Sequence, residues 1–248
     1  MNKAVSVYFI SALTAGGLTI NAANASVELA TSRSVDTTGI AQKERINDSV
    51  SSSLQSRLSN MKQFRADFTQ TVVDAQQNVV HEAQGTLTMT RPNKLRWETT
   101  FPDETLLVAD GDAVWNVDTF VEQVTVLSQD NAIKDNPIVL LTSTDEATWS
   151  KFSISQMNNG VSTNTSASEI NNDTVMQSYQ ITPKEEGGQI VTLTLSFNQD
   201  NELASLNMLD AQQQISTLVF NNIETRFPIP ADTFSVDIPD SFIVDDQR

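Results

Sequence analysis

Few residues of this 248-residue chain could do chemistry, and the most informative of them is an arginine. In the run Thr86-Leu87-Thr88-Met89-Thr90-Arg91, threonine alternates with Leu87, Met89 and Arg91. Strand side chains point alternately to two faces, so Arg91 shares a face with two apolar residues. Pro92-Asn93 ends that strand, and Leu95-Arg96-Trp97-Glu98-Thr99 starts another with Leu95 and Trp97 on one side. If that face is buried, the guanidinium needs acceptors there, because an unpaired buried charge is very costly. The alternative is an edge position whose stem covers apolar surface while its head stays in water.

The other candidates point away from catalysis. His81, the single histidine, lies in an alternating run and reads as an exposed strand residue. There is no Gly-x-Ser-x-Gly elbow, no His-Glu-x-x-His and no phosphate-binding loop. Asp103/Glu104 and Asp245/Asp246 could do carboxylate chemistry, but among 31 acidic residues adjacent pairs arise by chance. Asp110-Gly111-Asp112 lacks the remaining ligands of a calcium loop. The absence of cysteine excludes disulfides, thiolate metal sites and cysteine nucleophiles. The chain is expected not to be an enzyme, and to need neither cofactor nor metal.

The elements that must position Arg91 form an α+β plan. Val50, Leu54, Leu58, Met61, Phe64, Phe68 and Val72 recur in steps of three or four, a helical stripe that Asp48 or Ser49 can cap. One helix of about 22 residues would span roughly 33 Å. Alternating runs then predict strands near 64–74, where the helix gives way, and near 79–91, 94–101, 104–110, 113–118 and 121–128. Asp110-Gly111-Asp112 is a hairpin signal. The alternation stops at 133–142, where Asn136-Pro137 suits a helix start and Ile138-Val139-Leu140-Leu141 must be covered on several sides. Residues 145–149 fit another short helical turn. Strands resume near 150–156, 178–183, 189–198, 202–210 and 214–223, and the Asn-, Ser- and Thr-rich stretch 157–178 reads as a long mobile loop or an irregular hairpin. In a curved antiparallel sheet both helical pieces can lie over the inward face. That face would present Leu87, Met89, Leu95 and Trp97, with Leu54 and Leu58 from the long helix and Ile138 and Leu141 as a roof. A solidly packed interior is the competing reading.

Composition sets the compartment. Met1-Asn2-Lys3, the largely apolar stretch 4–20 and Ala23-Asn24-Ala25 read as an export signal cleaved after Ala25. Residues 26–47 show no periodicity and read as a flexible lead-in, leaving 48–248 as one domain. No later apolar run has spanning length. The net charge is −16, and losing Lys3 with the signal gives −17, so nucleic acid and anionic lipid surfaces repel the chain.

The stretch 54–128 resembles a known family. Its words are Leu54-Gln55-Ser56-Arg57-Leu58, Phe68-Thr69-Gln70, Gln84-Gly85-Thr86-Leu87 and Arg91-Pro92-Asn93, followed by Trp97, Pro102-Asp103-Glu104, Asp110-Gly111, Trp115 and Phe120-Val121-Glu122-Gln123. The closing Val244-Asp245-Asp246-Gln247-Arg248 fits too. These resemble the periplasmic outer-membrane lipoprotein carrier proteins. The resemblance implies an incomplete, open antiparallel β-barrel of about ten or eleven strands with a helical lid enclosing a hydrophobic cavity. It implies a periplasmic chaperone, expected to be monomeric, with acylated lipoproteins as cargo. An ABC-type lipoprotein-releasing transporter in the inner membrane would be the donor and an outer-membrane lipoprotein receptor the acceptor. By the same resemblance Arg91 would latch the lid through backbone carbonyls of Pro137, Ile138, Val139, Leu140 or Leu141. The anchored receptor itself is excluded, because it needs a cysteine. A lipid- or stress-sensing binding module on the same half-barrel is the rival, although such a sensor would usually bring a further domain.

Overall fold

The computed structural model describes residues 37–135, 137–157, 175–185 and 188–248, with the side chains of 37–47, 134, 135, 137, 175 and 176 left out. The predicted export signal and the centre of the 157–178 stretch lie outside the described residues. Chain order is α1 (Thr37–Asn60), β1 (Gln63–Val73), β2 (Val79–Thr90), β3 (Lys94–Phe101), β4 (Thr105–Ala109), β5 (Ala113–Asp118) and β6 (Gln123–Ser128). Next come α2 (Gln129–Asp135), α3 (Pro137–Leu140), α4 (Glu146–Ser150), β7 (Phe152–Met157), β8 (Val175–Pro183), β9 (Ile190–Asn198), β10 (Leu203–Asp210), β11 (Ile215–Glu224) and β12 (Ile243–Asp246).

The strands make one 12-stranded sheet in the order β12-β6-β5-β4-β3-β2-β1-β11-β10-β9-β8-β7. Among the described residues its two ends, β12 and β7, do not pair, so the sheet is open. Among the described residues only β12 pairs in parallel, with Ile243 opposite Gln123. The expected ten or eleven strands become 12 because the C-terminal tail returns to the sheet edge.

Two local expectations are corrected. The helix begins at Thr37, inside the expected lead-in, and ends at Asn60. Phe64, Phe68 and Val72 belong to β1, where burial alternates through Phe64, Ala66, Phe68, Gln70 and Val72. Residues four apart share a face in helix and strand alike, so their spacing fits both periods. In addition, α2 occupies the stretch directly after β6.

The inner face is mostly apolar, with Gln70 and Ser216 bonded to each other at 2.7 Å among its buried residues. Phe64 and Phe68 from β1, Leu87 and Met89 from β2, and Leu95 and Trp97 from β3 join Leu193, Leu195 and Phe197 of β9 in one buried cluster. Ring contacts order it, with Phe68 and Trp97 centroids 4.1 Å apart and Phe64 edge-on to Phe220 at 5.5 Å. A smaller cluster of Ala113, Val117, Val124 and Val126 is packed by Val236, Ile238 and Phe242, so the C-terminal segment straps the opposite face of β5 and β6.

Candidate functional site

All eight residues expected to line the interior fall in the large cluster. Leu54 and Leu58 of α1, Leu87, Met89, Leu95 and Trp97 of the sheet, and Ile138 and Leu141 of the α3 segment are each at most 6% exposed. Val139, Leu140 and Trp149 join them, so the segment from α2 to α4 packs against the inner face.

The β2–β3 turn fastens that segment. Asn93 has φ 61°, a left-handed conformation that asparagine tolerates, and its N–H donates to the Thr142 carbonyl at 3.1 Å. Gln129 Nε2 donates to the Asn93 carbonyl at 2.7 Å, and Arg91 N–H donates to Lys62 O at 3.0 Å. Arg91 Nη1 donates to the Ser143 carbonyl at 3.1 Å, an acceptor it shares with Trp149 Nε1 at 3.1 Å.

Ser143 lies outside the predicted acceptor set of Pro137, Ile138, Val139, Leu140 and Leu141. The reason is local: Ile138 O accepts from Leu141 N–H, Val139 O from the N–H and hydroxyl of Thr142, and Leu140 O from Ser143 N–H. These tight turns occupy the carbonyls of three of the five expected residues, and the guanidinium reaches the one just beyond. Arg91 Nε and Nη2 are buried with no hydrogen-bond partner among the described residues. Burial lowers the guanidinium pKa to about 10, so it remains charged at neutral pH. A buried cation with one of its groups bonded is a strained arrangement energetically, not a settled one.

A second arginine ties down the other cover. Arg57 of α1 donates through Nε to the Tyr179 hydroxyl at 3.1 Å and through its two Nη atoms to Asn201 and Gln177. Ser53 Oγ meets the same hydroxyl at 2.9 Å. The guanidinium carbon stands 5.5 Å from the Phe197 ring centroid. No local signal in the sequence marks Arg57, because its side-chain partners lie 120 to 144 residues away. Replacing Arg57 with alanine is expected to lower unfolding stability by about 1–3 kcal/mol and Tyr179→Phe by about 1 kcal/mol. In urea denaturation the double variant should cost less than the sum, because the two share one bond.

The remaining chemical candidates are structural. Asp110 Oδ1 accepts from the N–H groups of Asp112 and Ala113, each at 2.8 Å, and Oδ2 from Trp115 Nε1 at 2.7 Å. Partial burial would raise its pKa, yet these bonds together hold it below the usual carboxylate range. Gly111 closes the hairpin with φ +116°. His81 is half-buried on β2 rather than exposed; burial lowers its pKa, against the pull of Asp103 and Glu82. Among the described residues no group of three or more His, Asp or Glu could hold a metal. A groove of about 490 Å³ on the opposite face is lined by Arg65, Arg96, Glu98 and Asp232, so its charges balance. Arg96 meets Glu98 at 2.6 Å and Arg65 stacks 4.0 Å over Phe227.

The described residues form an open sheet whose inner face packs against α1 and the α2–α4 segment, an arrangement that gathers apolar surface. Residues 59–237 match the family "Outer membrane lipoprotein carrier protein LolA". The chain is 34% identical over 199 residues to the outer-membrane lipoprotein carrier protein of Pseudoalteromonas translucida, covering 79% of this chain and 87% of that one. It is 33% identical over 197 residues to its namesake from Aeromonas salmonicida, covering 79% and 89%. A putative outer membrane lipoprotein-sorting protein domain from Vibrio parahaemolyticus, solved by crystallography, is similar at a TM-score of 0.42 and 11% identity, over 76% of this chain and 97% of that one. The chain belongs to the LolA family of outer-membrane lipoprotein carriers.

Proposed function

We propose that this protein carries the acyl chains of lipoproteins across the periplasm, holding them between the inner face of the sheet and the α2–α4 segment. That segment acts as a lid and Arg91 as its latch. Acyl chains cannot cross water unaided, and burying one 16-carbon chain is worth on the order of 12 kcal/mol at about 0.8 kcal/mol per methylene. A carrier must supply most of that shielding and still let go. A closed state that competes with cargo does both, since apparent affinity falls by the fraction of protein that is open.

The observation that carries this reading is the half-satisfied Arg91: one bond to Ser143, with Nε and Nη2 buried and without partners among the described residues. The bond favours closure while the unpaired donors keep it shallow, so the lid is held by a margin that cargo can overcome. With no nucleotide-binding loop in the chain, energy for loading must come from a partner. An ABC-type transporter in the inner membrane is the donor on this reading, an anchored outer-membrane receptor the acceptor, and the carrier itself a monomer.

The test is to incubate the purified protein with membranes containing lipoproteins and to separate the soluble fraction by size. Acylated cargo is expected to co-elute with the protein, and the same cargo lacking its acyl chains is not. Equal recovery of both forms, or of neither, overturns the reading.

A further inference from the structure

One end of the sheet carries side chains that neither the interior nor the strapped face uses. Strands β1 to β6 form a meander, so alternate turns fall at the same end. The turns at 91–93 and 110–112 share the end where Thr142 and Ser143 dock, and the β3–β4 and β5–β6 turns lie at the other. Because β12 runs parallel to β6 from Ile243 opposite Gln123, it starts at that second end. Glu122 O accepts from Ile243 N–H at 2.9 Å, and the Thr119 hydroxyl donates to Glu104 O at 2.6 Å, which joins the three segments.

Exposed here are Phe101, Phe120, Val121, Ile243 and Val244, with Phe120 80% and Ile243 70% accessible. Side chains so large and so exposed, gathered on three adjoining segments, mark an interaction surface more than a solvated turn. Around them the segments 100–105, 117–123 and 239–244 carry Asp103, Glu104, Asp118, Glu122 and Asp240 and no Lys or Arg. In addition, β12 is the terminal strand, and its outward main chain has no strand beside it among the described residues.

We infer that this end docks an extended segment of a partner protein in which apolar side chains alternate with Lys or Arg. The segment adds as a strand along β12, its apolar side chains meeting Phe120 and Ile243 and its cations meeting the carboxylate rim. Charge selects this occupant over the others. An anionic lipid surface and a second copy of the same acidic end would both be repelled. The surface is at the opposite end of the strands from Arg91, and the inference does not depend on what fills the interior.

A fluorescein-labelled, capped decapeptide alternating Lys and Val tests it by anisotropy against the full protein, with Lys/Ser and Glu/Val decapeptides as comparisons. Only the Lys/Val peptide is expected to bind, and Phe120→Ser and Ile243→Ser should each raise its Kd at least about tenfold. Both side chains are exposed, so the thermal melting of either variant should match wild type. Wild-type affinity in both variants, or equal binding of the Lys/Ser peptide, overturns the inference. So does flotation with phosphatidylglycerol vesicles, or concentration-dependent dimerisation in sedimentation, that either substitution abolishes while peptide binding persists.

Discussion

Gly85→Ala is expected to cost several kcal/mol, about 3–5, enough to leave much of the protein unfolded at 37 °C. A Cβ built on Gly85 would stand 1.9 Å from the Glu98 carbonyl oxygen and 2.9 Å from both the Glu98 carbonyl carbon and Cε1 of Phe68. The obstruction is backbone, not the end of a flexible side chain, so relief requires β2 and β3 to separate in the middle of the sheet. That separation would also pull Phe68 from Trp97, whose centroids are 4.1 Å apart, and so reach the centre of the apolar cluster. Gly188→Ala is the matched control: the nearest atom to its Cβ is Ile190 N at 4.0 Å, and a change within about 0.5 kcal/mol is expected. Urea denaturation of both variants decides the matter. If Gly85→Ala unfolds at the wild-type midpoint, the tight approach of β2 to β3 is wrong.

How far the sequence could be read follows from the range over which each feature acts. Alternation in the runs beginning at Thr86 and Leu95 depends on nearest neighbours, and it placed the strands and the inner face within a residue or two. The burial of the eight expected residues was legible for the same reason, because amphipathic pattern reports which face is buried. Phe64, Phe68 and Val72 fitted the helical stripe as well as the strand near 64–74 because a spacing of four satisfies both periods, and Thr69, Thr71 and Val73 favour the strand that β1 forms. Arg91 was legible as an anomaly, a cation on an oily face. Its acceptor was not, because which carbonyl is free depends on the turns that 138–143 make among themselves. The Arg57 anchor and the pairing of β12 with β6 join residues more than a hundred apart in sequence, and neither leaves a local periodicity to find. Gly85 gave no warning either, since only the facing strand makes its missing Cβ necessary.

Arg91→Leu tests the latch more sharply than any other change, because the proposal assigns it opposite effects on two steps. Leucine keeps an apolar side chain at this position but removes the bond to Ser143. A charge-assisted hydrogen bond is worth about 1.5–3 kcal/mol, so its loss shifts the lid toward the open state by at most about ten- to a hundredfold, removal of the two unpaired donors acting the other way. Where closure competes with cargo, apparent affinity for acylated protein should rise by up to that factor, and transfer onto receptor-bearing membranes should fall correspondingly. Stability separates this from general damage. Burial already disfavours the charged guanidinium, and two of its nitrogens go unpaired among the described residues, so replacing it with a hydrocarbon should leave the melting temperature unchanged or raise it. Arg91→Lys keeps a cation near the same carbonyl and should fall between wild type and Arg91→Leu in both steps. The measurements are co-elution of acylated cargo for loading and recovery of cargo in the membrane fraction for delivery. An Arg91→Leu protein that loads poorly yet delivers normally would show that the guanidinium grips cargo, and the latch would have to be sought elsewhere.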